Sequence, residues 1–215
     1  MTLVDKNINR NVKPPKGVRR EPRRRRLADD ARANILDAAE DVLIASGPQA
    51  LKLSSVARVA GVSNASVLHH FGTVDGVQTA LMERMVRTLV NDVLAIAGQG
   101  PASARTAAEA VTALFDAFEA KGAARLAAWL ELTGEGRRLT ETRAALQDVL
   151  AAQMARYDEA PAEALEDFVL ACITMALAVG LFGPALSDLL GKPAGQAREV
   201  VLGLLLSRLE SDRVI

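Results

Sequence analysis

The sequence predicts an all-α fold, with an N-terminal three-helix helix-turn-helix unit followed by a larger helical domain. Three observations carry that expectation. Half of the 215 residues are hydrophobic yet only 3% are aromatic, and the abundant Ala and Leu favour helix over the β-branched and aromatic mixture of strands. Apolar residues recur at helical spacing between Gly and Pro breakers. No fixed-period repeat is present, which argues against a solenoid. Against roughly 150 residues per domain, the length allows one large helical domain or two closely packed smaller ones.

Taken in order, residues 1–28 hold Pro14, Pro15, Gly17 and Pro22 among basic side chains, with too little apolar content to fold alone, and are expected to be a disordered arm. From Ala31, the residues Ile35, Ala38, Ala39, Val42 and Leu43 form the stripe of an amphipathic helix ended by Gly47 and Pro48. Two short helices follow, 54–60 and 64–70, joined by Gly61, Val62 and Ser63. Thr73 is placed to cap a long helix running through Leu81, Met85, Leu89 and Val93 to Gly98. Further helices are expected near 103–120, 123–133, 137–156, 161–182 and 194–211, with Gly183 and Pro184 ending the fourth of these. The expected domains are the arm 1–28, a helix-turn-helix domain 29–78 and a larger helical domain 79–215.

The run Phe168–Ser187 is free of charge and near the length of a membrane span. Its flanks are acidic (Glu163, Glu166, Asp167, Asp188) and lack a Trp or Tyr girdle or a Lys cluster, so it is expected to be a helix buried in protein, with no membrane partner. Cys172 stands alone and cannot form an intramolecular disulfide. The N-terminus lacks the apolar core of a secretory signal, and a cytoplasmic location is expected.

The net charge of zero conceals a split. Residues 1–28 carry ten Lys and Arg against Asp5 and Glu21, a net +8, so the rest of the chain sums to −8. Residues 29–78 hold Arg32, Lys52 and Arg58 against six carboxylates, a net −3.

Two short helices joined through a glycine are the elements of a helix-turn-helix. Ala57 is small enough for a close crossing, Gly61 can adopt the left-handed conformation that redirects the chain, Val62 and Val67 point inward, and Ser63 caps the second helix. Phe71, one turn beyond Val67, should bury with it. Exposed at the start of the second helix are Ser63, Asn64, Ala65 and Ser66, with His69 one turn on. Short side chains of this kind can read base edges in a major groove: Asn pairs with adenine, Ser bonds several bases, and Ala touches a thymine methyl. His70 is expected to pack on the long helix or to bond a phosphate, and Arg32 and Lys52 join the DNA-facing set. The adjacent pair His69 and His70 points in different directions with no completing Cys or carboxylate, so no metal site and no cofactor are expected.

The stretch Ile35-Leu36-Asp37-Ala38-Ala39, with Gly47, Val56-Ala57, Ala60-Gly61-Val62-Ser63 and His69-His70-Phe71, closely resembles the DNA-binding segment of the TetR family of bacterial repressors over about residues 31–80. The resemblance implies a homodimer, a small-molecule pocket in the C-terminal domain and loss of operator binding when that pocket fills, so that 79–215 would be an effector-binding and dimerisation domain. It also implies pairing of the last two long helices with their twins, here about 161–182 and 194–211. Lys52, Leu68 and Val74 depart from the family's usual Thr or Ser, Tyr and Lys.

Because the motif itself is acidic, the cations that grip phosphate are expected from the arm. Arg19, Arg20, Arg23, Arg24, Arg25 and Arg26 directly precede the first helix, where such arms enter the adjacent minor groove. An effector pocket is expected among Met82, Met85, Leu89, Phe115, Phe118, Trp129, Met154, Phe168, Cys172, Met175 and Phe182, large or soft apolar side chains on several helices. An unidentified apolar small molecule would fit it, with Arg125, Glu131, Thr133 and Tyr157 as polar handles. Neither a nucleophile–base pair nor a glycine-rich phosphate loop is evident, so an enzyme is not expected. The alternative is an all-α small-molecule carrier or scaffold without DNA binding.

Overall fold

A computed structural model describes residues 21–98, 103–135, 147, 151 and 162–211. Eight helices with assigned bounds, and no strand, occur among the described residues. They are α1 (Glu21–Ser46), α2 (Leu53–Ala60), α3 (Asn64–Phe71), α4 (Val74–Gly98), α5 (Ala104–Glu119), α6 (Ala123–Leu132), α7 (Ala162–Leu189) and α8 (Gln196–Ser211), with a 3-10 turn at Pro48–Ala50 after α1. Gln147 and Ala151 are helical, but the expected helix 137–156 otherwise lies outside the described residues.

Two boundaries differ from expectation. The first helix begins at Glu21 rather than Ala31, so the last eight residues assigned to a disordered arm are helical. Pro22 sits in the first turn, where its missing N–H has no intrahelical partner to lose, and Pro22 is followed by strong helix formers. The fourth of the later helices does not stop at Gly183 and Pro184 but continues to Leu189 with Pro184 inside it. The buried positions Cys172, Ala176, Val179, Gly183 and Ser187 form one stripe on both sides of the proline, while Pro184 itself faces outward. Burial of that stripe outweighs the one backbone hydrogen bond that proline removes.

The core forms two clusters. The first gathers Ile35 and Leu43 of α1, Val56 of α2, Val67 of α3, Val77, Leu81, Met82 and Met85 of α4, and Leu126 and Leu130 of α6. It therefore reaches past residue 78 and joins the helix-turn-helix to α6. At that junction Gly122 adopts φ 77°, and a Cβ there would touch the Leu43 side chain, so α6 starts against the end of α1. Arg125 donates to the Ile44 carbonyl at 3.3 Å, satisfying one of the terminal acceptors of α1. The second cluster joins Val111 and Phe115 of α5, Cys172, Ala176 and Val179 of α7, and Leu205 of α8. Gly180 lets α7 approach closely, since a Cβ there would lie 2.8 Å from the Ala124 Cβ and 2.9 Å from the Phe118 carbonyl oxygen. Arg198 of α8 bridges Asp116 (2.5 Å) and Glu119 (3.2 Å) of α5.

Candidate nucleic-acid interface

The hairpin of α2 and α3 is built as its residues require. Gly61 is left-handed at φ 67°, ψ 29° and ends α2, its amide bonding back to that helix. Ala57 and Val67 are buried, and Val62 and Phe71 pack against the same cluster. Ser63 stands in the extended conformation and its Oγ accepts from the Ser66 amide at 3.1 Å, the N-cap that starts α3. Thr73 likewise caps α4, its Oγ1 accepting from the Gly76 amide at 3.0 Å.

At about 100° per residue, the exposed side of α3 is an arc of Asn64, Ala65, Leu68 and His69, while Val67 points into the core. Ser66 and His70 fall on the flank and are half-buried. The DNA-facing set read from the sequence therefore divides. Asn64, Ala65 and His69 are exposed on one face, with the His69 ring edge-on to His70 at 5.3 Å; Ser63 is exposed, but its hydroxyl is occupied by the cap. Lys52 is exposed at the N-terminus of α2 and supplies no side-chain cap.

Arg32 has an internal role. Its Nη1 donates to the His70 carbonyl at 3.0 Å and its guanidinium lies 4.4 Å from the Phe71 ring centroid, so it ties α1 to the end of α3. The arginines Arg23, Arg24, Arg25 and Arg26 belong to the first turns of α1, whereas Arg19 and Arg20 lie outside the described residues.

Several residues that position this face carry no short-range sequence signal. Asn34 donates through Nδ2 to the Ala60 carbonyl at 2.9 Å and completes the end of α2. Arg84 of α4 reaches Asp37 (2.5 Å), Glu40 (2.6 Å) and the Leu36 carbonyl (2.9 Å), clamping α4 to α1. A Cβ on Gly76 would run into the Phe71 carbonyl oxygen, so only glycine fits the α3–α4 junction. Each contact spans a turn or tens of residues, which periodicity does not register.

The described residues expected to line an effector pocket are divided between the two clusters. Met82 and Met85 belong to the first cluster, and Phe115 and Cys172, with Phe118 and Phe168 packed beside them, belong to the second. Leu89 and Trp129 are half-buried. Met175 faces outward because it lies one position off the buried stripe of α7, and Met154 and Tyr157 lie outside the described residues. Burial pushes the Cys172 thiol up to about 12, consistent with its reading as a small hydrophobe.

The expectation that the charge-free run is buried in protein also needs correction for a single chain. An 18-residue window within Glu166–Leu189 has a mean hydropathy of 2.2, and the helix is long and apolar enough to cross a membrane by composition, yet only 22% of that apolar window is buried. One face packs on α5 and α8, while Leu170, Met175, Phe182, Leu186 and Leu189 remain exposed, as do Val200 and Leu204 of α8. Among the described residues, the outward stripes of α7 and α8 are thus apolar and uncovered.

Residues 35–77 match the sequence model of the tetR family of bacterial regulatory proteins. The fold is similar to that of a transcriptional regulator from Rhodococcus sp. Rha1, at TM-score 0.62 and 24% identity over 82% of this chain and 96% of that one. It is also similar to the fatty acid degradation regulator FadR from Bacillus halodurans, at TM-score 0.54 and 18% identity over 82% and 94% of the two chains. A third similar structure is the multidrug binding protein EbrR complexed with imidazole, at TM-score 0.55 and 23% identity over 81% and 93%. No curated protein matches the chain.

Proposed function

The chain belongs to the tetR family of bacterial regulatory proteins, and from that premise we propose that it is a cytoplasmic, ligand-responsive repressor that binds a palindromic operator as a homodimer. The observation that carries the reading is the α2–α3 hairpin, with its left-handed Gly61, its Ser63 cap and one free arc of short side chains. Asn64, Ala65 and His69 then read base edges, while Ser63, Ser66, His70, Arg32 and Lys52 hold or flank the reading helix.

Phosphate grip comes from the basic N-terminus, because the motif itself is acidic. α1 carries Arg23–Arg26 as a continuation of the helix that Arg32 fastens to α3. Arg19 and Arg20 extend that charge toward the adjacent minor groove.

Dimerisation uses the uncovered faces of α7 and α8, where the family resemblance expects the helices to pair with their twins. Two copies would cover the apolar stripes that one chain leaves open, and the acidic flanks Glu166, Asp167 and Asp188 oppose a membrane as the cover. A small, largely apolar effector binds within the C-terminal helical domain. Its binding favours a state in which α4 moves and the two recognition helices no longer match one DNA face. Two proteins of similar structure are a fatty acid degradation regulator and a multidrug binding protein, which suits an apolar effector class.

Selection of duplexes from random DNA, followed by titration of the winning site across a range of salt and with apolar ligands, tests the whole reading. A dimer in sedimentation, a preferred two-fold site and an affinity lowered by at least one ligand are expected. Replacing Arg23–Arg26 with Ala, which removes four cations from each of two subunits, should flatten the slope of log K against log salt by up to about 7. A monomer that retains no duplex at low ionic strength overturns the reading.

A further inference from the structure

We propose that Leu68 is a specificity-determining residue that reads the 5-methyl group of thymine at the centre of each half-site. The proposal rests on the DNA-binding reading above and adds to it a residue that the polar groups of α3 do not supply.

Leu68 is 40% exposed on a helix whose other large apolar side chains, Val67 and Phe71, pack into the first cluster. On the helical wheel it lies between Asn64 and Ala65, within the same arc as His69. It is therefore at the middle of the exposed face, not at its edge. The face cannot turn to bury it: Gly61, the Ser63 cap, the buried Val67 and the Arg32–His70 hydrogen bond fix the rotation of α3 from both ends. The immediate neighbours are an amide, a methyl and an imidazole, and none shields an isobutyl group from water.

Those neighbours also select the occupant. Asn64 and His69 can bond base edges, and a thymine C5-methyl is the apolar group that a major groove presents beside such donors and acceptors. An isobutyl group reaches further from the helix axis than the Ala65 methyl, so it can meet that methyl where Ala cannot. Removing one methyl-sized contact from a desolvated site should cost about fourfold in affinity. Phosphates offer Leu68 nothing, which separates this role from a backbone grip.

The test uses the selected operator in matched duplexes, in which single thymines of each half-site are replaced by deoxyuridine, removing only the methyl. Full-length wild type, Leu68→Ala and Leu68→Gln are titrated against each. The expected result is that one or two uracil positions weaken wild type about fourfold per half-site and leave Leu68→Ala unchanged. Circular dichroism and dimer mass of the variants should match wild type. If wild type binds the operator but every uracil costs it the same as it costs Leu68→Ala, the Leu68 assignment is overturned and the regulator reading stands. If wild type selects no duplex, both fall.

Discussion

The two hydrophobic clusters are finished to different degrees. The first, around Ile35, Val56, Val67, Leu81 and Leu126, is closed on every side by helices of the same chain, and many of its members are fully buried. The second is smaller, centred on Phe115, Cys172 and Leu205, and is backed by helices whose far sides expose Phe182 at 59% and Leu204 at 61%. The lesson is that the DNA-facing half shares a core buried among α1–α4 and α6, whereas the α7–α8 half presents apolar surface that asks for a partner. The halves meet where α4 and α6 of the first cluster pack on α5 and α7 of the second.

The comparison breaks most visibly at the open face. Phe182→Asp combined with Leu204→Asp should convert a dimer to a monomer in sedimentation and lower operator affinity by on the order of a hundredfold, because charge is placed where an interface core is apolar. A variant that stays dimeric would show that the uncovered stripes serve something else. Wild type should also melt at a temperature that rises with protein concentration, and the double variant should not.

Next in size, Phe115→Ala empties the centre of the second cluster and should cost about 3–5 kcal/mol in denaturant unfolding. Gly180→Ala should cost about 1–3 kcal/mol, since the new methyl meets the Phe118 carbonyl, which cannot shift without moving α5. In the closed half, Ser63→Ala should cost about 1 kcal/mol through the lost cap of α3, with operator affinity falling more than stability does. Equal losses in both would mean that the start of α3 is not preorganised for binding.

The smallest effect is silent at neutral pH. Burial raises the Cys172 thiol from 9.0 to about 12, so the neutral thiol is the form favoured in the folded state. That contribution is fully present below pH 9 and is lost as pH climbs toward 12. Denaturation midpoints should therefore fall more steeply as pH rises from 9.0 toward about 12 for wild type than for Cys172→Ala, and equal slopes would place the thiol in contact with solvent.

Much was written locally in the chain. The α2–α3 hairpin, with Gly61, Ser63 and Val67, follows from turn and cap chemistry acting over a few residues, and the all-α class follows from composition. Other features needed the packed molecule. Pro184 signals a helix end, yet α7 runs through it because the stripe Cys172 to Ser187 is buried on both sides. Arg32 is read from the sequence only as a member of the DNA-facing set, and its bond to the His70 carbonyl and its place over the Phe71 ring exist only once α3 packs near α1. Hydrophobic periodicity shows that a side chain is apolar, but only the crossing of helices decides which cluster receives Met82 and which receives Phe115, or that Met175 faces outward. Local stereochemistry acts over one turn and can be read along a line; burial and ion pairing depend on distances that exist only once the chain has closed on itself.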